Sequence, residues 1–322
     1  MTNLDPAIAG MLAHINGLGQ PDMADLPVDV IRAVMTENCR RMEAPPPSEP
    51  LTVQTVSLTG ATGPLEGRLY RSAGGGEGPA TAILYFHGGG FVAGGLDSHE
   101  MACRRLATLS GMPVLAATYR LAPEHPLPAA HDDALAILAQ IGQQGPTWGL
   151  APDQVIIAGD SAGANLALAT ALDAPPDGPR VAGILMFYPV VSFVRQFPGR
   201  ARLGRDYLLT ERSMQTFTAL ALPDPVGRGD ARYNFLERGP MGHCAPVMLL
   251  TAGFDPLGEE GEALADRLLA DGVSVTHRHC PSMIHAFIHM TGVTPAVEPL
   301  LSEAADWCRQ TLKSDGSAVL SP

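Results

Sequence analysis

The chain has 322 residues, 46% of them hydrophobic, and a formal charge of −12. The acidic balance argues against phosphate-backbone ligands, no apolar run approaches the ~18 residues of a membrane helix, and the length suits one large α/β domain with appended elements. Met1-Thr2-Asn3-Leu4-Asp5 lacks the basic and apolar regions of a signal peptide, and the five cysteines have no regular spacing, so free thiols in a reducing cytoplasm are expected.

The first segment has helical periodicity. Leu4, Ile8, Met11, Leu12 and Ile15 share one face, and Val28, Ile31, Met35 and Met42 form another, before Pro45-Pro46-Pro47 breaks the pattern. The β-rich core begins only at Leu51, which places these helices outside a central sheet. Ala80–Phe86 then reads as a strand ending in His87-Gly88-Gly89-Gly90, a turn that presents backbone N–H groups to a developing oxyanion. Glycine lets those peptides turn toward a substrate without side-chain obstruction. Gly88 and Gly89, joined by Ala162, are the expected donors; such donors contribute ~10²–10³ each in turnover. Gly88-Gly89-Gly90-Phe91-Val92-Ala93 also fits a dinucleotide fingerprint. Against that reading, no helix opens at the glycines, since the next helix signal is an Asp97-Ser98-His99-Glu100 capping box. The following strand, around Pro113–Thr118, ends in Tyr119-Arg120 without a ribose-binding carboxylate.

The most informative stretch is Gly159-Asp160-Ser161-Ala162-Gly163. It lies between the apolar run Val155–Ala158 and the small-residue helix pattern Asn165–Leu172 and matches G-x-S-x-G, in which a strained strand-to-helix turn exposes a nucleophilic serine. A serine hydroxyl needs a base and an acid that orients it, and in such a fold both follow the serine in the chain. Pro246–Gly253 is the strongest later strand, and Asp255 stands just past it, where open α/β sheets build their sites. An N-cap role for Asp255 is the plainer alternative. Five histidines follow Ser161. His277 and His279 fall in a strand pattern over Val273–His279, His289 is expected to pack, and His285 follows on a loop, the position of a base. The His277, His279 and Cys280 cluster lacks a second ligand pair, so no metal site and no cofactor are expected.

Phe86–Phe91, Tyr119–Pro126, Gly159–Gly163, Asp255-Pro256-Leu257 and His285-Ala286-Phe287, in this order and spacing, resemble the bacterial hormone-sensitive-lipase family of esterases. Agreement runs from about Leu4 to about Thr311. The resemblance implies an α/β-hydrolase fold with a mostly parallel sheet of about eight strands, flanking helices and a helical cap. It also implies Ser161 as nucleophile, His285 as base and Asp255 as orienting acid, with His87 and Glu124 in a supporting hydrogen-bond network. Two departures stand out: Ala164 and Ala286 occupy positions where relatives often carry glycine. The resemblance divides the chain into a cap segment at 1–47, core at 48–190, a second cap segment at 191–242 and core at 243–322; surface helical decoration is the plainer alternative for the two outlying segments. Phe91, Tyr188, Leu208, Met214, Phe217 and Ile284 are the expected pocket residues. Arg195, Arg200, Arg202 and Arg205 crowd the second segment; a solvated loop is the plain reading, guidance of an anionic substrate the sharper one. The expected activity is hydrolysis of short- to medium-chain acyl esters through an acyl-enzyme, on a small-molecule substrate, and a homo-oligomer is compatible with the sequence. An amidase or deacetylase with the same triad, and a non-catalytic ligand-binding homologue, are the alternatives.

Overall fold

The computed structural model describes residues 3–73 and 78–314. Its eight strands are β1 (Leu51–Thr59), β2 (Pro64–Ser72), β3 (Ala80–Phe86), β4 (Val114–Ala117), β5 (Leu150–Asp160), β6 (Arg180–Phe187), β7 (Val247–Phe254) and β8 (Val275–Ile284). They form one sheet in the order β1-β2-β4-β3-β5-β6-β7-β8. The β1–β2 and β2–β4 pairs are antiparallel, and every pair from β4 to β8 is parallel. The helices among the described residues are α1 (Pro6–Gly17), α2 (Val28–Met42), α3 (Glu100–Ser110), α4 (Ala129–Gln144), α5 (Ala162–Leu172), α6 (Pro198–Leu203), α7 (Glu211–Ala221), α8 (Gly258–Ala270) and α9 (Val297–Ser314).

Central strands read as continuous apolar runs because both faces of a parallel sheet are covered. In β3, Ala82, Leu84 and Phe86 pack on one side with residues of α4, α5 and α8. Ile83 and Tyr85 pack on the other with α3 and α9. The expected eight-stranded, mostly parallel architecture is therefore observed. No described helix is long and apolar enough to cross a membrane.

Two local expectations change. Cys280–Ile284 is the last part of β8 rather than a loop, so His285 follows the strand directly. The capping box is not formed: His99 is the N-cap of α3 without a side-chain cap, and Ser98 Oγ instead donates to Gly95 O and meets His99 Nδ1 at 2.8 Å. Leu208 precedes α7 with φ +75°, outside any helix.

Sheet register positions the site. Phe86 pairs with Gly159, which sets the His87–Gly90 turn beside Asp160 and Ser161. Phe254 pairs with Ile284, which sets Asp255 beside His285. The two outlying segments meet at polar contacts: Asp22 accepts from Thr210 Oγ1 at 2.7 Å and from Ser213 Oγ at 2.8 Å, and Arg212 pairs with Asp25.

Candidate active site

Ser161 sits at the junction of β5 and α5 with φ +54° and ψ −117°, a conformation an L-residue holds only when its surroundings enforce it. The enforcement comes from close approach. A Cβ on Gly159 would overlap the Gly163 backbone, and one on Gly163 would overlap the carbonyl oxygen of Phe86, so both positions require glycine. Ala164, the first departure from the family pattern, is fully buried in α5. Ala286, the second, adopts φ +64°, which glycine tolerates better. Ala286→Gly is expected to leave stability unchanged or raise it by up to about 1 kcal/mol in urea unfolding.

The three sequence-predicted residues converge. His285 Nε2 lies 3.1 Å from Ser161 Oγ, and His285 Nδ1 lies 2.8 Å from Asp255 Oδ2. Asp255 Oδ1 accepts the Leu257 N–H at 2.8 Å, which fixes the carboxylate. All three are buried. Tyr188 packs its ring 4.7 Å from that of His285.

The oxyanion turn departs from expectation at one residue. Gly88 N–H donates to Asp160 Oδ1 at 2.9 Å, with His99 Nε2 at 3.2 Å, so it is already engaged. Among the described residues, no backbone hydrogen bond takes up the N–H of Gly89, Gly90 or Ala162. Gly89 and Gly90, at φ +117° and +65°, line a cavity together with Ser161, Ala162 and His285.

Beneath the turn lies a polar network that the sequence reading missed. Asp160 Oδ1 also accepts from Tyr85 Oη at 2.8 Å and faces His99 Nε2 at 3.0 Å. The His289 ring stands edge-on to His99 at 4.7 Å, and its Nδ1 lies 3.0 Å from Glu43 Oε1. His99, Asp160 and His289 thus bring three groups able to ligate a metal within 4.8 Å, yet hydrogen bonds already occupy Asp160 Oδ1. Burial opposes charge on Asp160, but His99, His289 and the Tyr85 hydroxyl hold its carboxyl well below the usual range. Burial likewise opposes charge on His289, and Cys39, Glu43 and Asp160 hold it well above the ordinary histidine value.

Both shifts have stability consequences. Asp160, depressed in the fold, contributes stability present above the unfolded carboxyl pKa of ~3.9 and lost as pH falls below it. His289, raised in the fold, contributes stability present below ~6.5 and lost as pH climbs through its folded value. Thermal midpoints measured against pH are therefore expected to decline at both ends, and Asp160→Asn is expected to flatten the acid limb. An unchanged acid limb in that variant would contradict this assignment.

His87, predicted to support the site, is buried and stacked on Tyr119 at 4.3 Å. Burial and the neighbouring His99 lower its pKa to about 4, so it stands neutral under the turn. Tyr119 Oη donates to the His87 carbonyl at 2.6 Å. Glu124 does not join this network. It lies on the surface, paired with Arg32 at 2.6 Å, and Arg32 also donates to the carbonyls of Val92 and Ala122. The pair ties α2 to the loop after β4, and such exposed pairs contribute at most about 1 kcal/mol.

The cavity holds about 150 Å³ and is lined by Phe91, Leu208, Leu209, Met214 and Phe217, with Met23, Met35 and Met42 from the first segment. Of the six pocket residues expected from the sequence, Phe91, Leu208, Met214 and Phe217 are among the residues lining this cavity. Tyr188 and Ile284 do not line it: Tyr188 backs His285, and Ile284 is core in β8. The arginine-rich stretch is largely neutralised, with Arg195 on Glu237, Arg200 on the fully buried Glu260 and Arg202 on Glu259. Arg200 is thus no solvated loop residue; it also lines the cavity. His277 Nε2 and His279 Nδ1 both meet Thr251 Oγ1, at 3.0 and 3.1 Å.

A serine at a strand-to-helix turn, hydrogen-bonded in series to a histidine and a carboxylate at the carboxyl ends of parallel strands, defines a hydrolase of the α/β type. The chain belongs to the α/β-hydrolase fold family, whose pattern matches residues 83–289, and to its hormone-sensitive-lipase-like esterase branch. It is 35% identical over 295 residues to carboxylic ester hydrolase LipN of Mycobacterium tuberculosis, covering 89% of this chain and 77% of the relative. It is 36% identical over 253 residues to ethyl acetate hydrolase of Pseudomonas putida, covering 76% and 78%. Among solved structures, an ester hydrolase from the metagenome of Lake Arreo, complexed with a bipyridine phosphonate derivative, superposes with a TM-score of 0.91 at 31% identity, covering 96% of this chain and 99% of that one.

Proposed function

We propose that the protein is a serine carboxylester hydrolase acting on short- to medium-chain acyl esters. The hydrogen-bonded series Ser161–His285–Asp255, opening on an apolar cavity, carries this reading. Ser161 Oγ attacks the ester carbonyl while His285 Nε2 takes its proton, and Asp255 stabilises the resulting imidazolium. The oxyanion is received by the N–H groups of Gly89, Gly90 and Ala162. His285 then protonates the leaving alcohol, and water repeats the sequence to release the acid. No cofactor enters these steps.

The segments 1–47 and 191–242 act as a cap, since both supply residues to the cavity and they bond to each other through Asp22 and Asp25. The partner is a small ester rather than nucleic acid, in keeping with the net charge of −12. A cytoplasmic setting fits five cysteines that are all unpaired. A cavity of about 150 Å³ is comparable to one that holds a single benzene-sized group, which supports a short acyl chain.

A series of p-nitrophenyl esters tests the reading. kcat/KM is expected to rise about fourfold per methylene, the equivalent of about 0.8 kcal/mol of transfer free energy, to an optimum within about two to eight carbons and then fall as the apolar pocket fills. Phe217→Ala should move the optimum to longer chains. An optimum at long chains in the parent, or a profile unmoved by Phe217→Ala, would contradict the cap's role.

A further inference from the structure

The apolar cavity at Ser161 has a polar neighbour that no step of ester hydrolysis uses. A second cavity of about 140 Å³ lies against the first, and Phe193, Arg200, Met214 and Thr218 line both. Its remaining walls are polar: Gln196, Glu211, Gln215 and Arg228. Arg200 is held rigidly there. Its Nε donates to Oε2 of the fully buried Glu260 at 2.9 Å, and its Nη2 donates to the same oxygen and to the Ser192 carbonyl, the latter at 2.7 Å. These bonds leave Nη1 without a hydrogen bond among the described residues. Arg228 brings a second guanidinium. Its Nε donates to the Leu222 carbonyl at 3.1 Å, while Nη1 and Nη2 have no hydrogen-bond partner among the described residues. Apart from the exposed Arg205, which lines neither cavity, every other arginine of 191–242 is matched to a carboxylate. Glu211 shares the wall, and Gln215 Nε2 donates to its Oε1 at 3.5 Å, but among the described residues no ion pair joins it to Arg200 or Arg228. Open N–H groups on two guanidiniums at one cavity suit the planar oxygens of a carboxylate.

We propose that the second cavity is a subsite for a carboxylate at the far end of the acyl chain, so that the preferred substrates are monoesters of straight-chain dicarboxylic acids. The inference rests on the ester-hydrolysis reading and specifies its substrate class; the products are the alcohol and the free diacid. The chain passes Met214, an unbranched side chain that yields readily, and its carboxylate accepts from Arg200 Nη1 and from Arg228. With Arg200 matched to Glu260, Arg228 is the charge left for the ligand, and Glu211 weakens the attraction. A carboxylate carried into an apolar cavity without such donors is rejected by the cost of shedding its water. The sign of the preference is therefore diagnostic.

Monomethyl esters of succinic through sebacic acid, each set against the methyl ester of the equally long monoacid, provide the test. At the best length, kcat/KM for the monoester of the diacid is expected to exceed that for its neutral counterpart by at least about tenfold, with the difference mainly in KM. Arg228→Gln should lower that ratio about tenfold, and Glu211→Gln should raise it about twofold or more. Neutral esters preferred at every length, a ratio unmoved by Arg228→Gln, or a ratio lowered by Glu211→Gln would each overturn the proposal. Calorimetric binding of the same pairs to Ser161→Ala protein keeps this outcome separate from the hydrolysis reading. Tighter binding of the diacid monoester, lost in the Arg228→Gln background, upholds the subsite even if no ester is turned over by the parent. Equal or weaker binding overturns it even if every ester is.

Discussion

Replacing Ser161 with alanine is expected to lower kcat on a short-chain ester by about 10⁶, while the urea midpoint stays within about 1 kcal/mol of the parent. In the proposed mechanism the hydroxyl supplies the attacking atom. Among the described residues its one hydrogen-bond partner is His285 Nε2 at 3.1 Å, so little folding energy rests on it. His285→Ala should be nearly as severe, because without the imidazole the hydroxyl has no proton acceptor. The double variant should be no slower than the worse single one, since residues that act as a unit are not additive. A double variant slowed, relative to the parent, by near the product of the two single factors would show that they act separately.

Asp255→Asn is expected to reduce kcat by about 10⁴ with the fold intact. The geometry gives the reason. Oδ1 is held by the Leu257 N–H, so an asparagine keeps its carbonyl oxygen there and turns its NH₂ toward His285 Nδ1. That nitrogen must then accept, which moves the ring's proton to Nε2, against Ser161 Oγ, where a base needs a lone pair. Steady-state kinetics should show the loss in kcat with KM little changed. A variant retaining more than about a tenth of parental kcat would show that the tautomer is set elsewhere.

The three residues of the proposed triad were legible in the sequence because each is tied to a local signal: a motif for Ser161, the end of an apolar strand for Asp255, and a loop expected after a strand pattern for His285. The mostly parallel sheet of about eight strands followed from the family resemblance, which does not specify the observed order β1-β2-β4-β3-β5-β6-β7-β8. What could not be read depends on contacts across the sheet. Asp160 occupies a free position of the G-x-S-x-G pattern, and only the β3–β5 register brings it to Gly88 and Tyr85, more than seventy residues away. That contact engages the Gly88 N–H and shifts the open donors to Gly89 and Gly90. His99 carried a plausible capping signal, yet its ring is drawn inward by Asp160. Glu124 was placed in the network by the family resemblance alone, but its carboxylate meets Arg32 on the surface. Pocket residues were found where an apolar side chain had no strand to pack in, as with Met214 and Phe217. They were misplaced where it did: Ile284 belongs to β8, and Tyr188 directly follows β6.

The central claim is that Ser161 forms a covalent acyl-enzyme, and intact-protein mass spectrometry after incubation with a small fluorophosphonate tests it most directly. One phosphonyl group per chain is expected, mapped to the peptide containing Ser161, with turnover lost in proportion to labelling and no adduct on Ser161→Ala protein. Full turnover in the presence of excess reagent, or an adduct on another residue that accounts for the inhibition, would contradict it.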